Sequence, residues 1–178
     1  MAGIQGKEYV YDHVFGPKNG TSTVYERVAK PIIEKAMEGF NGTIFAYGQT
    51  SSGKTHTLMG NAEDPGITLQ TISEVFALIA VEKNTEFLVR ISYIEIYNEE
   101  IKDLLDTTKT KTNLRIKDDK KKGPIVEGLT EAIVRTPEES ERLIKRGEVS
   151  EHNSVTNAVT TLILTRLHRG IDRTVPPQ

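Results

Sequence analysis

Apolar and polar positions along this 178-residue chain change period several times, and each change marks an element. From Glu8 to Phe15, Tyr9, Tyr11 and Phe15 share one face of an extended chain, predicting a strand that stops at Gly16-Pro17. Val24, Val28, Ile32 and Ala36 then recur every fourth residue up to Gly39, the stripe of an amphipathic helix. Thr23 and Glu26 stand at capping-box spacing at its start, and Pro31 either kinks or splits it. Thr43 to Tyr47 is a short β-branched and aromatic run of the buried-strand kind, followed by a helix opening at Lys54. Ile67, Ile72, Val75, Phe76 and Ile79 give a helix over 67–81, and the alternation from Phe87 to Tyr97 gives a strand. Glu99 to Leu105 reads as one or two helical turns. Leu114-Arg115-Ile116 and Ile125-Val126 read as short strands joined by the charged connector Lys117 to Gly123, and Thr136, Pro137 and Glu139 start a helix running to about Val149.

Strands alternating with helices predict an α/β architecture with a largely parallel or mixed central sheet. The length suits a single domain with a real core. Hydrophobic residues at 37% and charged ones at 27% argue against wholesale disorder. A net charge of −2 gives no overall bias toward nucleic acid or an anionic membrane. The absence of cysteine removes disulfides, thiolate zinc sites and cysteine nucleophiles together. No apolar run has the length of a membrane span and the first residues lack a secretory pattern, so a soluble intracellular protein is expected.

Candidate chemistry concentrates in one stretch. Gly48-Gln49-Thr50-Ser51-Ser52-Gly53-Lys54-Thr55 fits G-x-x-x-x-G-K-[ST], the loop that cradles nucleotide phosphates. Glycines at those positions let backbone N–H groups approach anionic oxygens. Lys54 is placed to reach the β- and γ-phosphates as a point charge, and the Thr55 hydroxyl to ligate Mg²⁺. ATP or GTP with Mg²⁺ is the expected ligand, and the strand-loop-helix order around the motif is the one that brings a helix N-terminus to the phosphates. Glu95, Asn98 and Glu99 have no paired nucleophile or metal cluster and read as structural, as do Tyr93 and Tyr97, whose spacing is that of one strand face.

Three runs resemble the kinesin motor domain: Tyr9-Val10-Tyr11-Asp12-His13-Val14-Phe15, Gly39 through Thr57, and Tyr93-Ile94-Glu95-Ile96-Tyr97-Asn98-Glu99. The resemblance covers most of residues 7 to 157, with wording somewhat like the centromere-associated branch. It implies an incomplete kinesin fold of the phosphate-loop NTPase type over residues 1–165, with a divergent tail over 166–178. It implies ATP and Mg²⁺ as cofactors, with Gly48, Gln49, Thr50, Ser51, Ser52, Gly53, Lys54 and Thr55 on the phosphates and Mg²⁺, and His56 against the adenine. It also implies microtubules as partner, with Lys120, Lys121 and Lys122 facing the acidic tubulin surface, and a cytoplasmic, cytoskeletal location. No catalytic residue is assigned, no coiled coil is found, and oligomeric state is left open.

The chain departs from the family pattern where hydrolysis is carried out. After Ser150 to Asn157 the family continues with a segment ending S-S-R-S-H; here Ala158 to Leu167 stands instead, and Glu151 occupies a position that is usually arginine. The second switch, D-x-x-G-S-E, does not occur, and only Met1 to Lys7 precede the run at Tyr9, without the family's R-x-R-P strand. Phosphoryl transfer depends on groups that orient water and sense the γ-phosphate, so hydrolysis by this chain is doubtful on these residues. The resemblance further implies that the strand leading into the phosphate loop lacks its neighbouring strands. Two other classes remain: a catalytically inactive motor-like fragment acting as a binding module, and an unrelated phosphate-loop NTPase, for which Glu95 and Asp103 are poor candidates as the Mg²⁺ carboxylate.

Overall fold

The structure, a computed structural model, describes residues 8–83, 85–108, 113–121, 123–149 and 158–168, the last segment and residues 148 and 149 by backbone alone. A helical run comes first, built from α1 (Thr21–Val24), a π-helical turn (Tyr25–Ala29) and α2 (Lys30–Met37). Then follow α3 (Lys54–Met59), α4 (Ile67–Val81), β1 (Thr85–Tyr97), β2 (Glu100–Asp103), β3 (Ile116–Asp119), β4 (Gly123–Val126), β5 (Ala132–Val134), α5 (Pro137–Val149) and β6 (Ala158–His168).

Strand β1 organises the main sheet. Its partner β6 runs antiparallel along eleven residues, Thr85 opposite His168 to Glu95 opposite Ala158. β5 pairs with Val89–Ile91 and β2 with Ile94–Tyr97, both also antiparallel. Because β6 pairs with these same β1 residues as far as Glu95, β5 and β2 must share the opposite edge. β3 and β4 form a separate antiparallel hairpin. No parallel pair occurs among the described residues, and the segment expected to contribute to a parallel or mixed sheet, Thr43–Tyr47, joins no ladder there.

The core lies where α4 and α5 pack on β1. Ile72, Val89, Ile91, Tyr93, Leu104, Leu105, Val134 and Ile144 form one buried cluster, with Ile91 and Ile144 fully enclosed. Each such side chain contributes on the order of 1.5–3 kcal/mol through burial. The helix at α4 spans the residues its pattern predicts. In α5, Thr136 acts as the cap, accepting the Glu139 N–H at 3.1 Å, while the Glu139 carboxylate accepts the Arg135 N–H at 2.7 Å.

Several elements differ from the pattern. The first helical run starts at Thr21 rather than Thr23, with Gly20 as an N-cap that makes no side-chain bond. Its buried stripe is Thr21, Tyr25, Ala29 and Ile33, one residue on from the predicted Val24, Val28, Ile32 and Ala36, which are half-buried. Pro31 is the second residue of α2, one position past the π turn. With no N–H to give and a ring that crowds the carbonyl four residues back, proline is accommodated there without ending the helix.

Glu99 to Leu105 is not helical. Asn98 and Glu99 adopt φ of 49° and 65°, a two-residue turn of the I′ kind, and Tyr97 pairs with Glu100 across it. The sequence after the turn therefore folds back as β2. Glu95, 5% exposed, lies opposite Lys102 in this hairpin, and Lys102 Nζ approaches its carboxylate at 3.5 Å, consistent with a structural part. Tyr93 packs in the core, whereas Tyr97, beside the turn, is exposed. The predicted connector from Lys117 is strand as far as Asp119, which leaves a shorter turn.

Two predicted strands do not form. Glu8 to Phe15 and Thr43 to Tyr47 have strand-type sequence but no ladder among the described residues, and Tyr9, Val10, Tyr11, Phe45 and Tyr47 are exposed. Strand geometry requires paired main-chain groups, and among the described residues no ladder partner meets these segments.

Candidate nucleotide site and lysine turn

The phosphate-type loop is shaped by its two glycines. Gly53 sits at φ 92°, in the left-handed region, and immediately caps α3. A Cβ on Gly48 would lie 2.5 Å from Ser52 Oγ, so the loop closes on itself only because position 48 carries no side chain. Ser51 also has positive φ, 61°, at the tip. The Ser52 N–H donates to the Gln49 carbonyl at 3.2 Å, and the Thr57 N–H to the Gly53 carbonyl at 2.9 Å, which makes the first turn of α3.

Lys54 turns back over the loop. Its Nζ donates to the carbonyls of Gly48 at 2.9 Å and Gln49 at 2.7 Å. Ser51, Gly53, Lys54, Thr55 and His56 line one open cleft, with Thr55 and His56 exposed. Of the nine positions expected to hold nucleotide, these five are brought together there. Gly48 and Gln49 meet the cleft through Lys54, and Thr50 and Ser52 lie on the exposed loop between. One ammonium and two hydroxyls at a glycine-shaped loop form a donor set suited to a phosphate chain, and an exposed hydroxyl is the ligand type Mg²⁺ takes when phosphate oxygens complete its shell.

Behind the cleft, α3 is stopped after six residues by Gly60, at φ 71°. A Cβ on Gly60 would come within 2.1 Å of the Gly66 nitrogen, so two backbones pass there in direct contact. The Gly66 N–H donates to Met59 O at 3.1 Å, and Asn61 Oδ1 accepts the N–H groups of Glu63 and Asp64. The loop thus formed presents Asp64 to the start of α1, where it accepts from Thr21 Oγ1 at 2.6 Å and from the Thr21 N–H at 3.3 Å. The Thr21 bonds, with a further contribution from the charge of His56, hold the Asp64 carboxyl below its ordinary pKa. Sequence reasoning missed this contact, since nothing local in Asp64-Pro65-Gly66 points to a partner 43 positions away.

Asp103, a conceivable Mg²⁺ carboxylate, is committed elsewhere: its oxygens accept from Leu105 N–H at 3.0 Å and Thr130 N–H at 2.8 Å. That arrangement counts against Asp103 as a Mg²⁺ carboxylate.

The lysine turn belongs to the β3–β4 hairpin, which shares no ladder with the main sheet among the described residues. Lys120 and Lys121 are exposed at its tip, and the Lys121 N–H donates to Asp119 Oδ1 at 2.9 Å. Lys117 is paired with Glu127, so its charge is compensated locally. Lys122 lies outside the described residues, as do Met1 to Lys7, Ser150 to Asn157 and Arg169 to Gln178.

The kinesin motor domain family model matches residues 2–161. This chain belongs to that family. It is 48% identical over 160 residues to the Arabidopsis thaliana kinesin-like protein KIN-7M, chloroplastic, which covers 90% of this chain and 15% of that protein. It is 46% identical over 157 residues to Homo sapiens kinesin heavy chain isoform 5C, covering 86% of this chain and 16% of the relative. The chain therefore spans about one-sixth of the length of these curated relatives. Among solved structures it is similar to a KIF14 motor dimer, bound by two heads with AMP-PNP in complex with a microtubule. That likeness has a TM-score of 0.74 at 33% identity, over 83% of this chain and 44% of that one. The fold is accordingly an α/β kinesin motor fold, present in part.

Proposed function

We propose that this chain is a kinesin-type, microtubule-associated nucleotide-binding module: residues 1–165 form part of a motor domain that holds Mg²⁺-ATP, followed by a divergent tail. The observation that carries this reading is the convergence of Ser51, Gly53, Lys54, Thr55 and His56 on one cleft behind a glycine-shaped loop. In this reading Gly48 to Thr55 surround the phosphates, with Gln49, Thr50, Ser51 and Ser52 supplying main-chain and hydroxyl donors. Lys54 leaves the Gly48 and Gln49 carbonyls to neutralise phosphate charge, Thr55 ligates Mg²⁺ and His56 stacks on the adenine. Held by Thr55, Mg²⁺ would offset the negative charge of the phosphates.

Lys120, Lys121 and Lys122 provide the contact with the acidic microtubule surface, and the location that follows is the cytoskeleton. An exposed hairpin tip suits such a contact, because ion pairs across an interface gain most when neither partner is already satisfied within its own chain.

Turnover is not part of the proposal. Ala158–His168, which stands in place of the family's serine- and arginine-bearing segment, is paired as β6 along β1. Its main chain is engaged in a sheet ladder, an arrangement that favours the inactive, binding-module reading over an ATPase. Phosphate release by the purified chain, with and without microtubules, tests the proposal alongside co-sedimentation. Microtubule binding with no stimulated release is expected. Stimulated release would overturn the inactive reading, and absence of co-sedimentation would overturn the microtubule contact.

A further inference from the structure

Strand β6 lies at the margin of the main sheet. It pairs with β1 through an unbroken antiparallel register from Ala158 to His168, and with no other strand among the described residues. In such a ladder alternate residues turn their N–H and C=O groups toward the neighbouring strand, so the residues between them present theirs to the outer side. Nothing in β6 blunts that edge. Ala158 to His168 contains no proline, glycine, lysine or carboxylate, and its register with β1 has no bulge. Arg166 and His168, near its end, are the residues there that can carry charge. In the ladder Ile163 is opposite Arg90, which places it on the sheet face away from Val89, Ile91 and Tyr93 of the core.

The order of residues along the strand indicates what fits this edge. Turned end for end about Ile163, the run Ala-Val-Thr-Thr-Leu-Ile-Leu-Thr-Arg-Leu-His has nearly the same pattern of apolar and polar positions. Antiparallel pairing with a second copy about that point sets Ile163 against Ile163, Leu162 against Leu164, Thr161 against Thr165, Thr160 against Arg166 and Val159 against Leu167. Apolar residues then meet apolar ones, threonine meets threonine, and Arg166 does not meet its own copy. Moving the centre to Leu162 or to Leu164 would set threonine against isoleucine, so the pattern selects one register. We propose that this chain forms a twofold-symmetric dimer in which β6 of one protomer pairs antiparallel with β6 of its partner, centred on Ile163, joining two main sheets into one. Main-chain hydrogen bonds supply the affinity, and the isologous contact closes at two copies. Neither nucleotide nor microtubule enters this contact, so it is measured without them.

Sedimentation velocity of the full 178-residue chain over a range of concentrations reads the association, and hydrogen exchange reads the strand. A monomer–dimer equilibrium is expected, with protection at residues 158–168 that rises with concentration. Ile163→Glu sets two like charges against each other across the twofold axis and should weaken the dimer by roughly tenfold or more, with the exchange of α4 and α5 unchanged. Ile163→Lys should do the same, and an equimolar mixture of the two variants should associate again as a heterodimer. Should either variant lose its α4 protection, the concentration dependence of protection at 158–168 in the natural chain decides the contact. A chain that stays monomeric, a dimer without protection at 158–168, growth past two copies, a dimer unmoved by Ile163→Glu, or a mixture no stronger than either folded variant alone would each overturn the proposal.

Discussion

Thr21 Oγ1 lies 2.6 Å from Asp64 Oδ1 and 2.6 Å from the Pro65 carbonyl, joining the start of the first helical run to the loop that leaves α3. A hydroxyl has one proton, so it serves one of these acceptors at a time, and ionised Asp64 is the stronger. Because the folded state lowers the Asp64 pKa, its contribution to stability is present above the ordinary carboxylate range, near ~4, and is lost as pH falls through the depressed value. Urea midpoints measured from neutral pH down to acid should fall less steeply in Asp64→Asn than in the natural chain. Parallel curves would contradict this part played by Asp64.

Gly147 faces Tyr93. A Cβ there would lie 2.7 Å from Tyr93 Cδ1 and 3.3 Å from Leu104 Cβ, and the Tyr93 ring is enclosed. Gly147→Ala gains about 1 kcal/mol in helix propensity but overpacks a rigid contact at about 1–3 kcal/mol. A net loss of about 1–2 kcal/mol in urea unfolding is expected.

Tyr25 presents the opposite case. Its ring is buried, its hydroxyl has no partner among the described residues, and burial together with the charges of Glu74, Glu26 and Glu34 raises its pKa. Tyr25→Phe removes an unsatisfied polar group while keeping the ring, and should be neutral or stabilising by up to about 1 kcal/mol. A loss of that size would show that the hydroxyl has a partner.

Glu99 holds φ 65° in the hairpin turn, a conformation that disfavours side chains. Glu99→Gly should stabilise the chain by about 0.5–1 kcal/mol, read by the same unfolding measurement.

How much of this was legible follows from where each element finds its partners. α4 and α5 carry their own signals, an apolar stripe and a Thr136 cap, and both form as read. β1 was legible because its alternation is long. Glu99–Leu105 was misread because Ile101, Leu104 and Leu105 mimic a helical stripe, whereas the two left-handed residues at 98 and 99 decide the hairpin. Glu8–Phe15 and Thr43–Tyr47 carry strand-type sequence but have no ladder partner among the described residues, so local pattern alone overstates them. Within the candidate site, the cleft-lining residues were readable from the motif at Gly48–Thr55 and its flank. The Lys54 contacts and the Asp64 clamp were not, since they depend on how the loop closes in space.

The central claim is that the loop at Gly48–Thr55 holds Mg²⁺-ATP through Lys54. Equilibrium titration of the purified chain with a fluorescent ATP analogue in Mg²⁺ tests it directly, with Lys54→Ala as the comparison. Saturable binding that weakens by roughly tenfold or more in Lys54→Ala is predicted, the scale of a lost charge-assisted contact of about 1.5–3 kcal/mol. No saturable binding, or equal binding by Lys54→Ala, would contradict it.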